Sequence, residues 1–322
     1  MDPITLVVIS SPKYPFLKHL DHLPQPVKVI ASDDLALLKQ HAPDADVILN
    51  GFHDGSTLRA IFPLATRLRW VHALSAGVEK VLFPELIEST IPFTNGRAVF
   101  GAALAEFTVA AMLFFAKELR RLVRQQEAGR WETFDVTFLR GKTFGVVGYG
   151  GIGREGARLA HALGMKVVAV RRRTALSSND PLLERSFEPG QLREMLSLCD
   201  YVFVATPLTP ATQGMIGEAE LNAMKPTAVI VNVGRGPVIV EQALITALKA
   251  GRIRGAALDV FDQEPLPDGH PFYGLENVLL SPHCADHTEG WMEMSVDQFI
   301  SNFERFRAGQ PLENIVDKRA GY

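Results

Sequence analysis

Short apolar runs alternate with stretches of helical spacing along most of the chain. Residues 6–9, 27–30, 47–49 and 70–74 are apolar runs that predict strands, and residues 33–41 and 56–62 are the helical segments between them. This alternation predicts an α/β, doubly wound first segment. From residue 102 to 127, apolar positions at Ala103, Phe107, Ala110, Ala111, Phe114 and Leu119 predict one long helix ending at Gly129. The rhythm then resumes, with strands at 143–147, 166–170, 201–205, 228–232, 255–259 and 278–280 and helices around 191–196, 218–224 and 241–250. These elements continue one parallel sheet. Residues 288–308, with Met292, Val296, Phe299, Ile300, Phe303 and Phe306 at helical spacing, predict a second long helix, and the stretch after it, 311–316, is too short for a domain. The simplest topology inserts a domain of residues 100–287 into another made of 1–99 plus 288–322. Two long connecting helices would then set a hinged cleft.

The most informative stretch is 142–173. An apolar strand runs into Gly148, Tyr149, Gly150, Gly151, Ile152 and Gly153, then a helix, a second strand and Arg171, Arg172 and Arg173. Gly148 permits the tight turn, Gly150 lets backbone approach a pyrophosphate, and Gly153 lets the helix pack close to the sheet with its first amides facing phosphate. Such a glycine set alone is a weak signal; between a predicted strand and a helix carrying Ala157, Leu159, Ala160 and Leu163 it predicts a Rossmann dinucleotide site. NAD-binding units usually end the second strand with an acid for the ribose 2′-hydroxyl. Arg171 stands there instead. A guanidinium can pair with a 2′-phosphate through two parallel hydrogen bonds, so the stretch predicts NADP(H) in preference to NAD(H), against the alternative of a solvated basic turn.

Composition narrows the class. The 322 residues are 47% hydrophobic and 21% charged, which suits two ordinary cores, and a net charge of -3 with a pI near 6.3 argues against a nucleic-acid partner. No apolar stretch reaches the ~18–20 residues of a membrane helix. The first residues carry Asp2 where a secretory signal would carry base, and Cys199 and Cys284 are the two cysteines, so a reducing cytoplasmic setting is expected, with no disulfide framework.

Open α/β sheets place ligands at the carboxyl ends of their strands, and three charged residues follow predicted strands there: Arg235, Glu264 and His283. Arg235 lies between Gly234 and Gly236, so its guanidinium projects from a tight loop open to close approach; pairing with a surface carboxylate is the alternative. Asp259 and Glu264 leave the next strand, Asp262 between them reading as solvated. A lone histidine is most often structural. His283 is distinguished by its company at equivalent strand ends.

With these residues in place, the chain resembles the D-isomer-specific 2-hydroxyacid dehydrogenases, the family of glyoxylate/hydroxypyruvate reductases, D-lactate dehydrogenases and phosphoglycerate dehydrogenases. The resemblance spans nearly the whole length. It rests on residues 141–153, the loop from Pro207 to Thr212, and the segments 232–236, 259–265 and 281–283. Ser75, Ala76, Gly77 and Val78 resemble the family's substrate-carboxylate loop, and residues 105–107 resemble the start of its interdomain helix.

The resemblance implies a Rossmann cofactor domain inserted into a smaller flavodoxin-like substrate domain, and reduction of a small 2-oxo acid, of glyoxylate or hydroxypyruvate type, to the D-2-hydroxy acid. His283 would be the acid/base and Glu264 would raise its pKa and orient it. Arg235 would bind the carboxylate and polarise the carbonyl, with the amides of Ala76 to Val78 completing the carboxylate site. Asp259 would hold the nicotinamide carboxamide. Thr206, Pro207, Thr212, Val233 and Gly234 would join the glycine segment, Arg171 and Arg172 around the cofactor, and no metal is expected. A phosphoglycerate dehydrogenase activity is the alternative enzyme, and a dinucleotide-sensing corepressor is the alternative from another class. Helix 102–122, with Phe107, Met112, Phe114 and Phe115 spread around it, predicts a homodimer. Trp131 resembles an aromatic that relatives use near the dimer interface, with a core tryptophan as the other reading. Cys284, Ala285, Asp286 and His287 depart from the small apolar residue and glycine of many relatives. Asp286 reads either as an anion near the nicotinamide or as a helix cap, and Cys284 either as a thiol that makes the enzyme sensitive to thiol reagents or as an inert buried thiol.

Overall fold

The computed structural model describes residues 3–51, 54–97, 99–172 and 180–322, so the Arg173 of the basic triplet lies outside the described residues. The chain divides into two compact units, Met1–Phe100 with Glu289–Tyr322, and Gly101–Thr288. In chain order the first unit holds β1 (Ile4–Ile9), β2 (Val27–Ser32), α1 (Leu35–His41), β3 (Val47–Asn50), α2 (Gly55–Ile61), β4 (Trp70–Ala73), α3 (Pro84–Glu88) and β5 (Phe93–Asn95). The second holds α4 (Gly101–Ala116), α5 (Leu119–Glu127), β6 (Thr143–Val147), α6 (Gly151–Ala162), β7 (Lys166–Val170), β8 (Arg185–Phe187), α7 (Leu192–Leu198) and β9 (Tyr201–Val204). It continues with α8 (Glu218–Ala223), β10 (Val229–Asn232), α9 (Glu241–Lys249), β11 (Gly255–Leu258) and β12 (Val278–Leu280), after which α10 (Trp291–Arg307) belongs to the first unit.

The first unit is a five-stranded parallel sheet in the order β2-β1-β3-β4-β5, the flavodoxin-like order. The inner strands β1, β3 and β4 are buried on both faces, which is why they read as continuous apolar runs, while the edge strand β2 is partly exposed. Val7, Ile9, Ile48 and Val71 pack on one side, Leu6, Val8, Leu49 and Trp70 on the other. The second side is closed by α10, where Trp70 stacks on Phe299 with ring centres 5.2 Å apart. The tail returns to the sheet edge. Ile315 bridges Thr94 antiparallel, and the Val316 amide donates to the Phe93 carbonyl at 2.8 Å.

The second unit is a seven-stranded sheet in the order β12-β11-β10-β9-β6-β7-β8, parallel throughout. That is the doubly wound dinucleotide-binding order with one strand added at the β12 edge. Both units are therefore α/β. Strands β5 and β8, three residues each, carried too short an apolar run to stand out in the sequence.

The long helix expected over 102–127 is two helices. The chain turns at Glu118, whose φ of 54° is left-handed, and α5 starts anew at Leu119. Tertiary donors permit the break: the Thr137 amide reaches the Ala116 carbonyl at 2.9 Å, and Arg254 donates both to the Phe115 carbonyl at 2.5 Å and to the Glu118 carboxylate. With its last carbonyls satisfied from outside, α4 can end without a stop signal in its own sequence.

Candidate active site

Arg235, Glu264 and His283 leave the carboxyl ends of β10, β11 and β12, three neighbouring strands of the second unit. Each strand hands over to its loop through a buried polar residue. Asn232 closes β10; its side-chain amide donates to the Arg235 carbonyl at 3.1 Å, and its oxygen accepts the Gly234 amide at 3.0 Å. This splint shapes the turn that presents Arg235. The turn presses against the next loop, since a Cβ at Gly236 would stand 2.0 Å from the Phe261 carbonyl carbon.

Asp259 follows β11 and is 1% exposed. Its Oδ1 accepts the Ser281 hydroxyl at 2.6 Å, the Cys284 amide at 3.0 Å and the Ala285 amide at 3.1 Å. One oxygen thus clamps both sides of His283. The clamp is needed because His283 has a left-handed φ of 52°, a conformation that costs on the order of 1–3 kcal/mol in a non-glycine residue. Among the described residues the other oxygen, Oδ2, takes no hydrogen bond. Burial raises the pKa of Asp259, and the bonds from Ser281, Ala285 and Cys284, with the charge of His283, work against that rise.

The imidazole of His283 meets Glu264 through Nδ1, 2.8 Å from Oε2, while the Phe261 amide fixes Oε1 at 3.0 Å. Nδ1 is thereby committed to the carboxylate, and no hydrogen bond engages Nε2 among the described residues. The bond to Glu264 raises the pKa of His283; partial burial and the positive charge of Arg235 oppose it without reversing it. The Glu264 carboxylate therefore favours the protonated imidazole, with the Arg235 guanidinium acting against it.

The glycine segment forms a cradle in the same unit. Gly148 has φ of 97°, and a Cβ there would stand 2.5 Å from Thr206 Oγ1. At Gly153 a Cβ would come within 2.2 Å of the Gly148 carbonyl oxygen, so only glycine lets α6 approach the strand end. Among the described residues nothing lies within 4 Å of a Cβ built at Gly150 or Gly151, and no side chain caps α6. Open backbone and uncapped amides fit a dinucleotide pyrophosphate. Thr206 donates to the Val147 carbonyl at 2.8 Å, tying the turn after β9 to β6, and Thr212 Oγ1 donates to the Pro207 carbonyl at 2.6 Å and accepts the Thr209 amide at 2.8 Å. Val233 is buried beside Gly234, and Arg171 and Arg172 follow the end of β7.

In the first unit, the carbonyls of Ser75 to Val78 are all engaged. Ser75 accepts the Gly96 amide at 3.0 Å, Ala76 the Asn95 side chain at 2.5 Å, Gly77 the Ser75 hydroxyl at 2.9 Å, and Val78 the amides of Val81 and Leu82 at 2.9 Å. The amides of Ala76, Gly77 and Val78 make no hydrogen bond among the described residues. Successive amides left this way form an anion nest.

Asn232 and Ser281 open segments that carry the family resemblance, without a role of their own there, and Asn95 lies outside those segments. Asn232 and Ser281 follow apolar runs, which is a sequence signal, whereas Asn95 ends the three-residue β5, where no such run marks it. Three expectations change. Asp286 does not cap α10, whose N-cap is Gly290; its carboxylate lies 3.8 Å from His287 instead. Cys284 is exposed rather than buried, with Sγ 3.5 Å from the Ser281 hydroxyl. Trp131 is 97% exposed, which removes the core reading. Among the described residues no three His, Cys, Asp or Glu side chains are grouped to hold a metal ion, and no helix is long and apolar enough to cross a membrane.

The same organisation recurs in known proteins. The family model for the NAD-binding domain of D-isomer specific 2-hydroxyacid dehydrogenases matches residues 109–285. A glyoxylate reductase of Thermococcus gammatolerans is 36% identical over 267 residues, covering 80% of this chain and 79% of its own. A hydroxypyruvate reductase of Blautia hydrogenotrophica is 30% identical over 284 residues, covering 85% and 86%. The solved NADPH-dependent glyoxylate/hydroxypyruvate reductase of Sinorhizobium meliloti, in complex with NADP and sulfate, superposes with a TM-score of 0.83 at 25% identity over the full length of both chains. A doubly wound sheet with an open glycine cradle, Arg235, Glu264 and His283 at neighbouring strand ends, and this depth of sequence similarity lead to one conclusion: the chain is an oxidoreductase of the D-isomer specific 2-hydroxyacid dehydrogenase family.

Proposed function

We propose that this enzyme reduces a small 2-oxo acid of the glyoxylate or hydroxypyruvate type to the D-2-hydroxy acid, with NADPH preferred over NADH. The observation that carries the reading is the commitment of His283 Nδ1 to Glu264 at 2.8 Å, which leaves Nε2 as the proton-bearing atom for substrate. Arg235 polarises the carbonyl and pairs with the carboxylate, and the amides of Ala76, Gly77 and Val78 take the remaining carboxylate oxygen. Bound nicotinamide dinucleotide supplies the hydride. His283 gives its Nε2 proton to the developing alkoxide, and Glu264 stabilises the imidazolium until then. Asp259 Oδ2 accepts a carboxamide N–H and so fixes which ring face is presented.

Residues 148–153 hold the pyrophosphate, with Thr206, Pro207, Thr212, Val233 and Gly234 around the rest of the dinucleotide, and Arg171 with Arg172 hold the 2′-phosphate. The glyoxylate and hydroxypyruvate reductases among the relatives support the substrate class, and the NADP bound in the Sinorhizobium enzyme supports the cofactor. A homodimer is part of the same reading. Trp131 and Phe138, 97% and 76% exposed, stand out with Val123 and Val136 along α5 and the arm after it, an apolar surface suited to a second copy. The unpaired Cys199 and Cys284 suit a cytoplasmic enzyme.

A turnover panel of glyoxylate, hydroxypyruvate, pyruvate, phenylpyruvate and 3-phosphohydroxypyruvate with each cofactor tests the reading. Highest kcat/KM for one of the first two with NADPH is expected; highest turnover of the phosphorylated acid, or a tenfold preference for NADH, overturns it. Sedimentation as a monomer at micromolar concentration would refute the dimer.

A further inference from the structure

An acid does reach the glycine turn, from a distance. Asp180 places Oδ2 3.1 Å from the Tyr149 hydroxyl and 3.0 Å from Arg154 Nε, and its Oδ1 accepts the Leu182 amide at 3.1 Å. Its side chain is 11% exposed. Tyr149 is the residue between Gly148 and Gly150, buried at the turn of the glycine cradle. Over its ring stands Arg171, guanidinium carbon 5.6 Å from the centroid, within cation–π reach.

A free carboxylate here would repel a 2′-phosphate. This one is paired with Arg154 and takes two further donors, so its charge is spent inside the protein. Burial and the Asp180 carboxylate both push the Tyr149 phenol above its ordinary range, which keeps it a neutral donor to Asp180. The ring is consequently pinned at its outer end, with the glycine turn holding its backbone. A guanidinium lying on a fixed ring loses less freedom on meeting phosphate than one on a free side chain.

We propose that Tyr149, pinned by Asp180, is the platform that sets Arg171 for the 2′-phosphate, so that Tyr149 and Asp180 are cofactor-selectivity residues acting through Arg171. This rests on the reading of Arg171 as a 2′-phosphate ligand. Selectivity here comes from an acid that braces a ring from within the protein, whereas related folds end the second strand with an acid turned to the ribose.

The test is equilibrium binding, by calorimetry, of adenosine 2′,5′-bisphosphate and 5′-AMP, with NADPH and NADH as full-length counterparts. Wild type, Arg171→Ala, Tyr149→Phe, Tyr149→Leu and Asp180→Ala are compared by the ratio of the two Kd values, in which any shared loss divides out. Tyr149→Leu is expected to cut the preference for the 2′-phosphorylated ligand about fivefold, and Tyr149→Phe and Asp180→Ala about two- to threefold. An unchanged ratio in Tyr149→Leu overturns the proposal, as does a raised ratio in Asp180→Ala, which would make Asp180 a repelling group. If Arg171→Ala alone abolishes the preference, the reading of Arg171 stands and the platform falls. A wild type without the preference removes both.

Discussion

Glu264 holds His283 with one oxygen and is itself held by the other: Oε2 lies 2.8 Å from Nδ1, and Oε1 accepts the Phe261 amide at 3.0 Å. The carboxylate cannot swing away from the ring without giving up a backbone bond. His283 and Glu264 therefore form one fixed unit, on loops that follow adjacent strands.

Because the pKa of His283 is raised chiefly by Glu264, the imidazolium persists as pH rises through 6.5 and is lost only above that raised value. Reduction should be full on the acid side of this pKa and decline beyond it. Glu264→Gln removes the charge that raises it, so the declining limb of kcat/KM should move to lower pH, with activity at pH 8 down about tenfold or more. A pH–rate profile checks this. A limb at the wild-type position would exclude Glu264 from the proton-donor unit.

If one guanidinium serves both carboxylate and carbonyl, Arg235→Ala should raise KM for the 2-oxo acid and lower kcat, each by well over about tenfold. Arg235→Lys should recover binding in part and kcat less, because an ammonium lacks the planar fork. Steady-state kinetics separate the two effects, and a change confined to KM would remove Arg235 from carbonyl polarisation.

Asn95 reaches the Ala76 carbonyl at 2.5 Å from a 3% exposed position. Asn95→Ala should loosen the nest and raise KM for the 2-oxo acid about fivefold, the worth of roughly one hydrogen bond, while KM for the cofactor holds. Asn95→Asp, which sets a carboxylate against a carbonyl, should be worse. Equal rises in both KM values would instead indicate general damage.

His72 lies in β4, fully buried, with Nδ1 2.7 Å from Thr94 Oγ1 and, among the described residues, no partner for Nε2. Burial pushes its pKa down to about 3. The unfolded chain takes up this proton near pH 6.5 and the folded one does not, so the stability His72 confers is full above pH 6.5 and drains away as pH falls toward 3. At pH 5 the loss is about 2 kcal/mol. Denaturant melts of wild type and His72→Gln at pH 7 and pH 5 should show the variant losing less on acidification, and parallel losses would refute the assignment.

The sequence by itself determined the class of fold, the cradle and the three strand-end residues. Parallel strands buried on both faces must be written as apolar runs, and a turn with φ of 97° at Gly148 must be written as glycine, so local chemistry and tertiary role coincide there. The tertiary structure alone decided where long-range partners intervene. Arg254 and Thr137 break the helix at Glu118; Asp259 clamps a left-handed His283 from another strand; Asn95 braces the Ala76 loop; Asp180 reaches Tyr149 from 31 positions away. In each, a polar group finds its partner far along the chain. Periodicity reports which face a residue takes, whereas such a hydrogen bond exists only once the sheet has brought its strand ends together.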